Sequence, residues 1–283
     1  MRAGIWSNQA SHKGTVFIFP GRSEYLERFG RTTSALLGSG FAVVSLDWRG
    51  HGLSDRIAKN PRACHVTRFT YYQKDVAAII ELAKAKDMPQ PWFLFGNSMG
   101  GCIGLRALYN DLPVAAAAFT APLWDIKMSK PLRAIATPIS VVAHALGRSQ
   151  SYVPGYNSES YVLKTPFSGN KVTHDQEAYD FLTTLAKQMP EFEIGGPTMG
   201  WLQECLKECK FLSTNPSPDI PCLAFCGDQD EVVEIGAINS RMQNWRRGKF
   251  ELVQGAKHEL VMESSAIRDN VLGKTEAFFK NAL

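Results

Sequence analysis

The residues best suited to do chemistry are Gly96-Asn97-Ser98-Met99-Gly100. Trp92-Phe93-Leu94-Phe95 precedes them and reads as a buried strand. Gly101 to Leu108 follows and reads as a buried helix. A Gly-x-Ser-x-Gly turn between a strand and a helix describes a nucleophile elbow. Such a turn is tight, so side chains beside the serine must be nearly absent. The hydroxyl is then presented at a helix N-terminus, where backbone N–H groups favour negative charge. The chemistry this permits is nucleophilic attack on a carbonyl. The bland alternative is a glycine-rich turn with a bystander serine.

A serine hydroxyl is a poor nucleophile near neutral pH. It needs a base within hydrogen-bond reach, and the base needs a third group to hold its tautomer. On a strand–turn–helix scaffold of this kind the chain order is Ser, then Asp or Glu, then His. Of six histidines, His12, His51, His65, His144 and His174 all precede the last two expected strands; only His258 follows the final one. His258 is therefore the expected base. Gly227-Asp228-Gln229-Asp230 follows the preceding strand. Asp230 is the preferred acid. Asp228 stands as the alternative, one step closer to the strand, where capping the turn is its plainer role. An oxyanion needs two backbone N–H donors. Met99, after the serine, should supply one. Arg22, in the Pro20-Gly21-Arg22 loop after an early strand, should supply the other. Gly21 lets that backbone approach a substrate.

These residues need a frame. Ala3 to Trp6, Thr15 to Phe19, Ala42 to Leu46, Val114 to Phe119, Pro221 to Cys226 and Phe250 to Val253 read as further strands. Helices fit Tyr25 to Leu37, Phe69 to Lys86, Val233 to Trp245 and Ser264 to Phe279. Strands alternating with helices predict a mostly parallel sheet with helices on both faces. Ligands then bind beyond the carboxyl ends of the strands, where every residue named above falls.

The alternation breaks between Trp124 and Asn215, where helical patterns at His174 to Gln188 and Met199 to Phe211 replace strands. That is too long for a loop. The expected organisation is a core of residues 1–123 and 216–283 with a helical cap at 124–215. Its first part, Ile126 to Ser158, holds Lys127, Lys130, Arg133 and Arg148, no Asp or Glu, and an apolar filling. One reading is a solvated basic face. The other is a lip meeting anionic lipid or a phosphate-bearing substrate.

With 45% hydrophobic and 20% charged residues, the 283-residue chain is globular, and a net charge of +4 is too small to argue for nucleic acid. None of the six cysteines forms a C-x-x-C pair, and no cysteine–histidine spacing suggests a metal. Reduced thiols, no leader pattern and no long apolar run lead to the expectation of a cytoplasmic protein, in contact with the inner membrane surface at most peripherally.

With these pieces placed, the chain resembles the α/β-hydrolase superfamily over nearly its whole length, and within it the bacterial lysophospholipase and monoacylglycerol lipase group. Pro20-Gly21-Arg22-Ser23-Glu24 with Arg28-Phe29 is similar to that group's oxyanion loop. Asp47-Trp48-Arg49-Gly50-His51-Gly52-Leu53-Ser54 matches its D-x-R-G-x-G-x-S loop. The elbow matches with Asn97 where His is common, and Gly227-x-x-Asp230 and His258-Glu259-Leu260 match the acid and base positions. The resemblance implies an α/β-hydrolase fold of seven or eight strands, the leading hairpin being shortened. It implies a cofactor-free serine hydrolase acting on esters of a single acyl chain. Gly21, Asn97, Lys127, Lys130 and Arg133 are the further candidates for touching substrate. The rivals are a small-ester carboxylesterase, another serine-dependent hydrolase such as a carbon–carbon bond hydrolase, and a non-catalytic binding protein on the same fold.

Overall fold

The computed structural model describes residues 1–9 and 11–283. In chain order the main elements are β1 (Arg2–Trp6), β2 (Thr15–Phe19), α1 (Gly30–Gly38), β3 (Ala42–Asp47), α2 (Tyr72–Ala85), β4 (Trp92–Asn97), α3 (Met99–Tyr109) and β5 (Ala116–Thr120). Then come α4 (Lys130–Ala145), α5 (Tyr161–Lys164), α6 (Gln176–Gln188), α7 (Met199–Thr214), β6 (Cys222–Gly227), α8 (Ile235–Gln243), β7 (Gly248–Val253) and α9 (Ser265–Lys280).

Among the described residues the strands form one seven-stranded sheet in the order β1-β3-β2-β4-β5-β6-β7. β1 pairs antiparallel with β3, and every other pair is parallel. β2 to β6 are buried along their whole length. This is why they read as continuous apolar runs without alternation. Period-two side chains split them between two cores. Phe17, Phe19, Leu94 and Phe119 pack with α2, α3, α7 and α8 on one face. Val16, Ile18, Phe93 and Phe95 pack with α1 and α9 on the other. Each buried Phe contributes about 1.5–3 kcal/mol.

Several boundaries differ from those the sequence suggests. The helix expected from Tyr25 splits into a 3-10 turn, Leu26–Phe29, and α1. The turn is tied to the core, because the Leu26 N–H donates to buried Asp47 Oδ1 at 3.0 Å. The helix expected from Phe69 likewise begins as a 3-10 turn, with α2 starting at Tyr72. β5 starts two residues later than Val114: the Val114 N–H turns back to the Leu112 carbonyl, and the Ala115 N–H already donates to the Trp92 carbonyl of β4.

Residues 130–214 carry α4 to α7 between β5 and β6. α7 is anchored to the sheet side. Arg106 of α3 pairs with Glu208 at 2.5 and 2.9 Å, and Trp201, Cys205, Cys209 and Leu212 join the core cluster. α4 packs on α7 and buries only Ala136 and Ser140. Leu132, Ile135, Ile139, Val141 and Val142 of α4 are 45–56% exposed. α5 and α6 form a small separate cluster around Tyr179 and Leu182.

Candidate active site

The parallel strands deliver three loops to one end of the sheet. β4 runs straight into Ser98, whose φ of 49° lies in the left-handed region. A non-glycine residue there carries about 1–3 kcal/mol of strain. The turn is held by neighbours: the Ser98 N–H donates to the Thr120 carbonyl at 3.0 Å, and the Leu123 N–H to the Ser98 carbonyl at 2.9 Å. Gly100 is required by close approach, because a Cβ there would overlap the Phe19 carbonyl oxygen at the end of β2. The same contact brings the Pro20-Gly21-Arg22 loop against the elbow.

β6 and β7 deliver the partners. His258 Nε2 lies 2.9 Å from Ser98 Oγ, and His258 Nδ1 lies 2.7 Å from Asp230 Oδ2. A carboxylate only accepts, so Nδ1 carries the proton and Nε2 is free to accept from the serine hydroxyl. Asp230 Oδ1 accepts from the N–H groups of Val232 and Val233 at 2.7 and 3.0 Å. Burial works to raise the Asp230 carboxyl, but the charge and hydrogen bond of His258 and these two N–H groups hold it below its ordinary value. Burial works to lower His258; the Asp230 charge and hydrogen bond, with Glu259 and Glu24 behind, outweigh it and raise the imidazole above its ordinary value. An imidazolium formed by taking the serine proton is thus stabilised in place.

Asp228 is turned away from this group. Its Oδ1 accepts from the Gly255 N–H at 2.8 Å and ties the β6 loop to the β7 loop. His51 is buried and pushed down to about 3 by that burial. His65 bonds Thr198 Oγ1, and His174 bonds Gln229, the chain neighbour of Asp230. Met99 opens α3, so its N–H belongs to the first turn, where donors have no intrahelical acceptor. Arg22 lies in the loop that follows β2.

The D-x-R-G-x-G-x-S loop acts as a brace. The Trp48 indole N–H donates to the Pro20 carbonyl at 2.8 Å, and Arg49 forks onto Asp75 at 2.8 to 3.2 Å. Asp47 takes the Leu26 and Leu53 N–H groups and pairs with Arg2 at 2.7 Å.

A second buried network backs the site, joined by pairings between residues far apart in the chain. The Gly21 N–H donates to Glu24 Oε2, and Asn97 Nδ2 donates to Glu24 Oε1 at 2.7 Å. Thr120 Oγ1 donates to Asn97 Oδ1 at 2.7 Å, which fixes the amide orientation. Arg28 pairs with Glu259, the residue after His258, at 2.5 Å. Burial, opposed by Arg28, pushes Glu24 up to about 7. Asn97 therefore faces this network. Of the basic candidates, Lys127 Nζ donates to the Asp230 carbonyl at 2.7 Å, Arg133 pairs with Asp125 at 2.9 Å, and Lys130 is exposed at the start of α4.

Comparison with known proteins places this geometry in context. Residues 10–265 match the family described as Serine aminopeptidase, S33. A probable lysophospholipase L2 of Haemophilus influenzae is 26% identical over 265 residues, which span 93% of this chain and 82% of that protein. Lysophospholipase L2 of Escherichia coli K12 is 28% identical over 287 residues, spanning 95% of this chain and 81% of that one. The crystal structure of Paleococcus ferrophilus monoacylglycerol lipase matches with a TM-score of 0.76 at 17% identity, over 100% of this chain and 99% of that one. The shared architecture is the α/β-hydrolase fold.

Proposed function

The chain belongs to the Serine aminopeptidase, S33 family, and on that premise we propose that it is a serine hydrolase cleaving carboxylic esters of single-acyl-chain lipids, lysophospholipid or monoacylglycerol. The observation that carries the reading is the relay from Ser98 Oγ through His258 to Asp230, at 2.9 and 2.7 Å. The choice of a lipid ester follows the names of the similar proteins from Haemophilus, Escherichia and Paleococcus.

In this mechanism Ser98 Oγ attacks the ester carbonyl while His258 Nε2 takes its proton. Asp230 holds the imidazole and offsets its charge. The backbone N–H groups of Arg22 and Met99 receive the oxyanion. Collapse breaks the bond to the leaving alcohol, which takes the proton from His258. Water, deprotonated by the same imidazole, then releases the acyl chain from Ser98. Residues 124–215 act as a cap over this reaction. The exposed apolar residues of α4, bordered by Lys130, form the surface that meets lipid peripherally. Among the described residues no helix is long and apolar enough to cross a membrane.

The test is a substrate panel of a lysophospholipid, a monoacylglycerol of the same chain and p-nitrophenyl acetate, run with wild type and Ser98→Ala. Wild type should favour the long-chain substrates, and Ser98→Ala should lose at least about 10⁴-fold in kcat while remaining folded. A preference for acetate would shift the reading to a small-ester esterase, and substantial activity in Ser98→Ala would remove the serine from its role.

A further inference from the structure

Most cations around the site already have partners. Lys127 and Arg133 are bound as described, Lys257 Nζ donates to the carbonyls of Asn170 and Thr173, Lys171 pairs with Glu231, and Arg28 pairs with Glu259. Arg22 differs. Among the described residues no carboxylate lies within ion-pair distance of it. Its Nη1 donates to the neighbouring Ser23 hydroxyl at a long 3.3 Å, and its side chain also hydrogen-bonds the neutral Cys64 thiol. The guanidinium carbon lies 5.7 Å from the centre of the Trp201 ring, on the first turn of α7. The other groups around it include the buried Cys64 thiol and the buried His51 imidazole. Burial pushes the thiol up to about 11 and the imidazole down to about 3, so both are neutral at physiological pH.

A half-buried guanidinium with no counter-charge has lost part of its hydration without an anion to replace it. Its five N–H donors form a planar fork that matches two oxygens of a phosphate, and the indole face holds that plane. The position is as telling as the charge. Arg22 is the residue whose backbone N–H faces the oxyanion in the proposed mechanism, so its side chain starts beside the scissile ester. In a lysophospholipid the phosphodiester sits on the leaving alcohol, one glycerol away from that ester. A monoacylglycerol offers only hydroxyls there.

We propose that the Arg22 side chain, laid over Trp201, binds the phosphodiester of a lysophospholipid, and that the site thereby prefers lysophospholipid to monoacylglycerol. The inference rests on the ester-hydrolase reading and narrows it. One residue then serves twice, its backbone holding the oxyanion and its side chain the head group.

The experiment compares kcat/KM for a lysophosphatidylethanolamine and a monoacylglycerol of equal chain length in wild type, Arg22→Met and Arg22→Lys. Fluorophosphonate labelling confirms that Ser98 is reactive in each variant. In wild type the ratio favours the lysophospholipid. In Arg22→Met that ratio should fall by about tenfold or more, mainly through KM, since a charge-assisted bidentate contact is lost. Arg22→Lys should recover part of it, as a point charge without the fork. Parallel losses on both substrates, or an unmoved ratio, overturn the inference and leave the ester reading standing. A wild type that labels yet cleaves neither lipid overturns both. A Met variant that fails to label leaves the Lys variant to decide: a ratio equal to wild type there, or a parallel loss, also overturns it.

Discussion

β4 and α4 are both rich in apolar residues and use them in opposite ways. Every residue of β4 is buried, and the strand ends in the serine. α4 buries two small residues and leaves its large apolar ones facing out. Removing a side chain from water contributes about 25 cal/mol per Å²; a side chain left in water contributes little. β4 therefore holds the fold together, and α4 barely does. What α4 offers instead is an exposed apolar surface, of the kind that marks contact with something outside the chain. The reacting groups lie beyond the ends of β4, β6 and β7; β4 and β6 are buried throughout, and β7 only in part. The strands position the chemistry, and α4, packed on α7, presents its large apolar side chains outward.

The largest effect that sharpens this contrast lies on the rigid side. Asp230→Asn should lower kcat about 10⁴-fold, because the amide N–H favours the wrong tautomer of His258. Asp228→Asn, two residues away, should cost at most about 1 kcal/mol of stability through the bond to Gly255, with kcat nearly intact. Steady-state rates and denaturant midpoints of the two variants check both halves, and the reverse ranking would move the acid to Asp228.

Next comes one substitution made in both regions. Leu94→Ala, in a fully buried position of β4, should cost about 2–5 kcal/mol. Leu132→Ala, at a position 51% exposed on α4, should stay within about 0.5 kcal/mol. Equal losses in urea unfolding would mean that α4 carries the fold after all.

The smallest effect concerns pH. His258 must be neutral to accept the serine proton, so kcat/KM should rise about tenfold per unit below its pKa and level above it. Because His258 is held above its ordinary value, the limb should lie higher than about 6.5. Glu24 contributes to that upward shift. Burial pushes Glu24 itself up to about 7, so it is partly ionised over this range; Glu24→Gln removes that partial charge and should move the limb to lower pH, by less than about one unit. A limb that moves up instead would contradict the direction of that interaction.

What could be read from the sequence follows from range. The elbow was legible because strand, glycines, serine and helix are contiguous. His258 was legible by position, as the histidine after the final strand. The Gly227-x-x-Asp230 match favours Asp230 over Asp228; where each carboxylate points is not encoded in two residues of loop. Glu24, Arg28 and Glu259 stand at family-like positions, but their pairing was not legible, since Arg28 and Glu259 meet across 231 residues of chain. Lys127 looked like a substrate contact because its local neighbours are basic and apolar; its actual partner, the Asp230 carbonyl, comes 103 residues later. The 3-10 turns were invisible to a helical period that continues smoothly through them.

The anchoring of α7 has a consequence for anyone who would recombine this chain with a relative. The Arg106–Glu208 pair and the burial of Trp201, Cys205, Cys209 and Leu212 mean that α7 shares its interior with α3. A chimera that exchanges 124–215 as a block would cut through that interior and strand Arg106 without its acid. An exchange that stops before Met199 keeps the Arg106–Glu208 pair with its host, and Trp201, laid under Arg22, stays with it, but the face of α7 on which α4 packs would have to be matched.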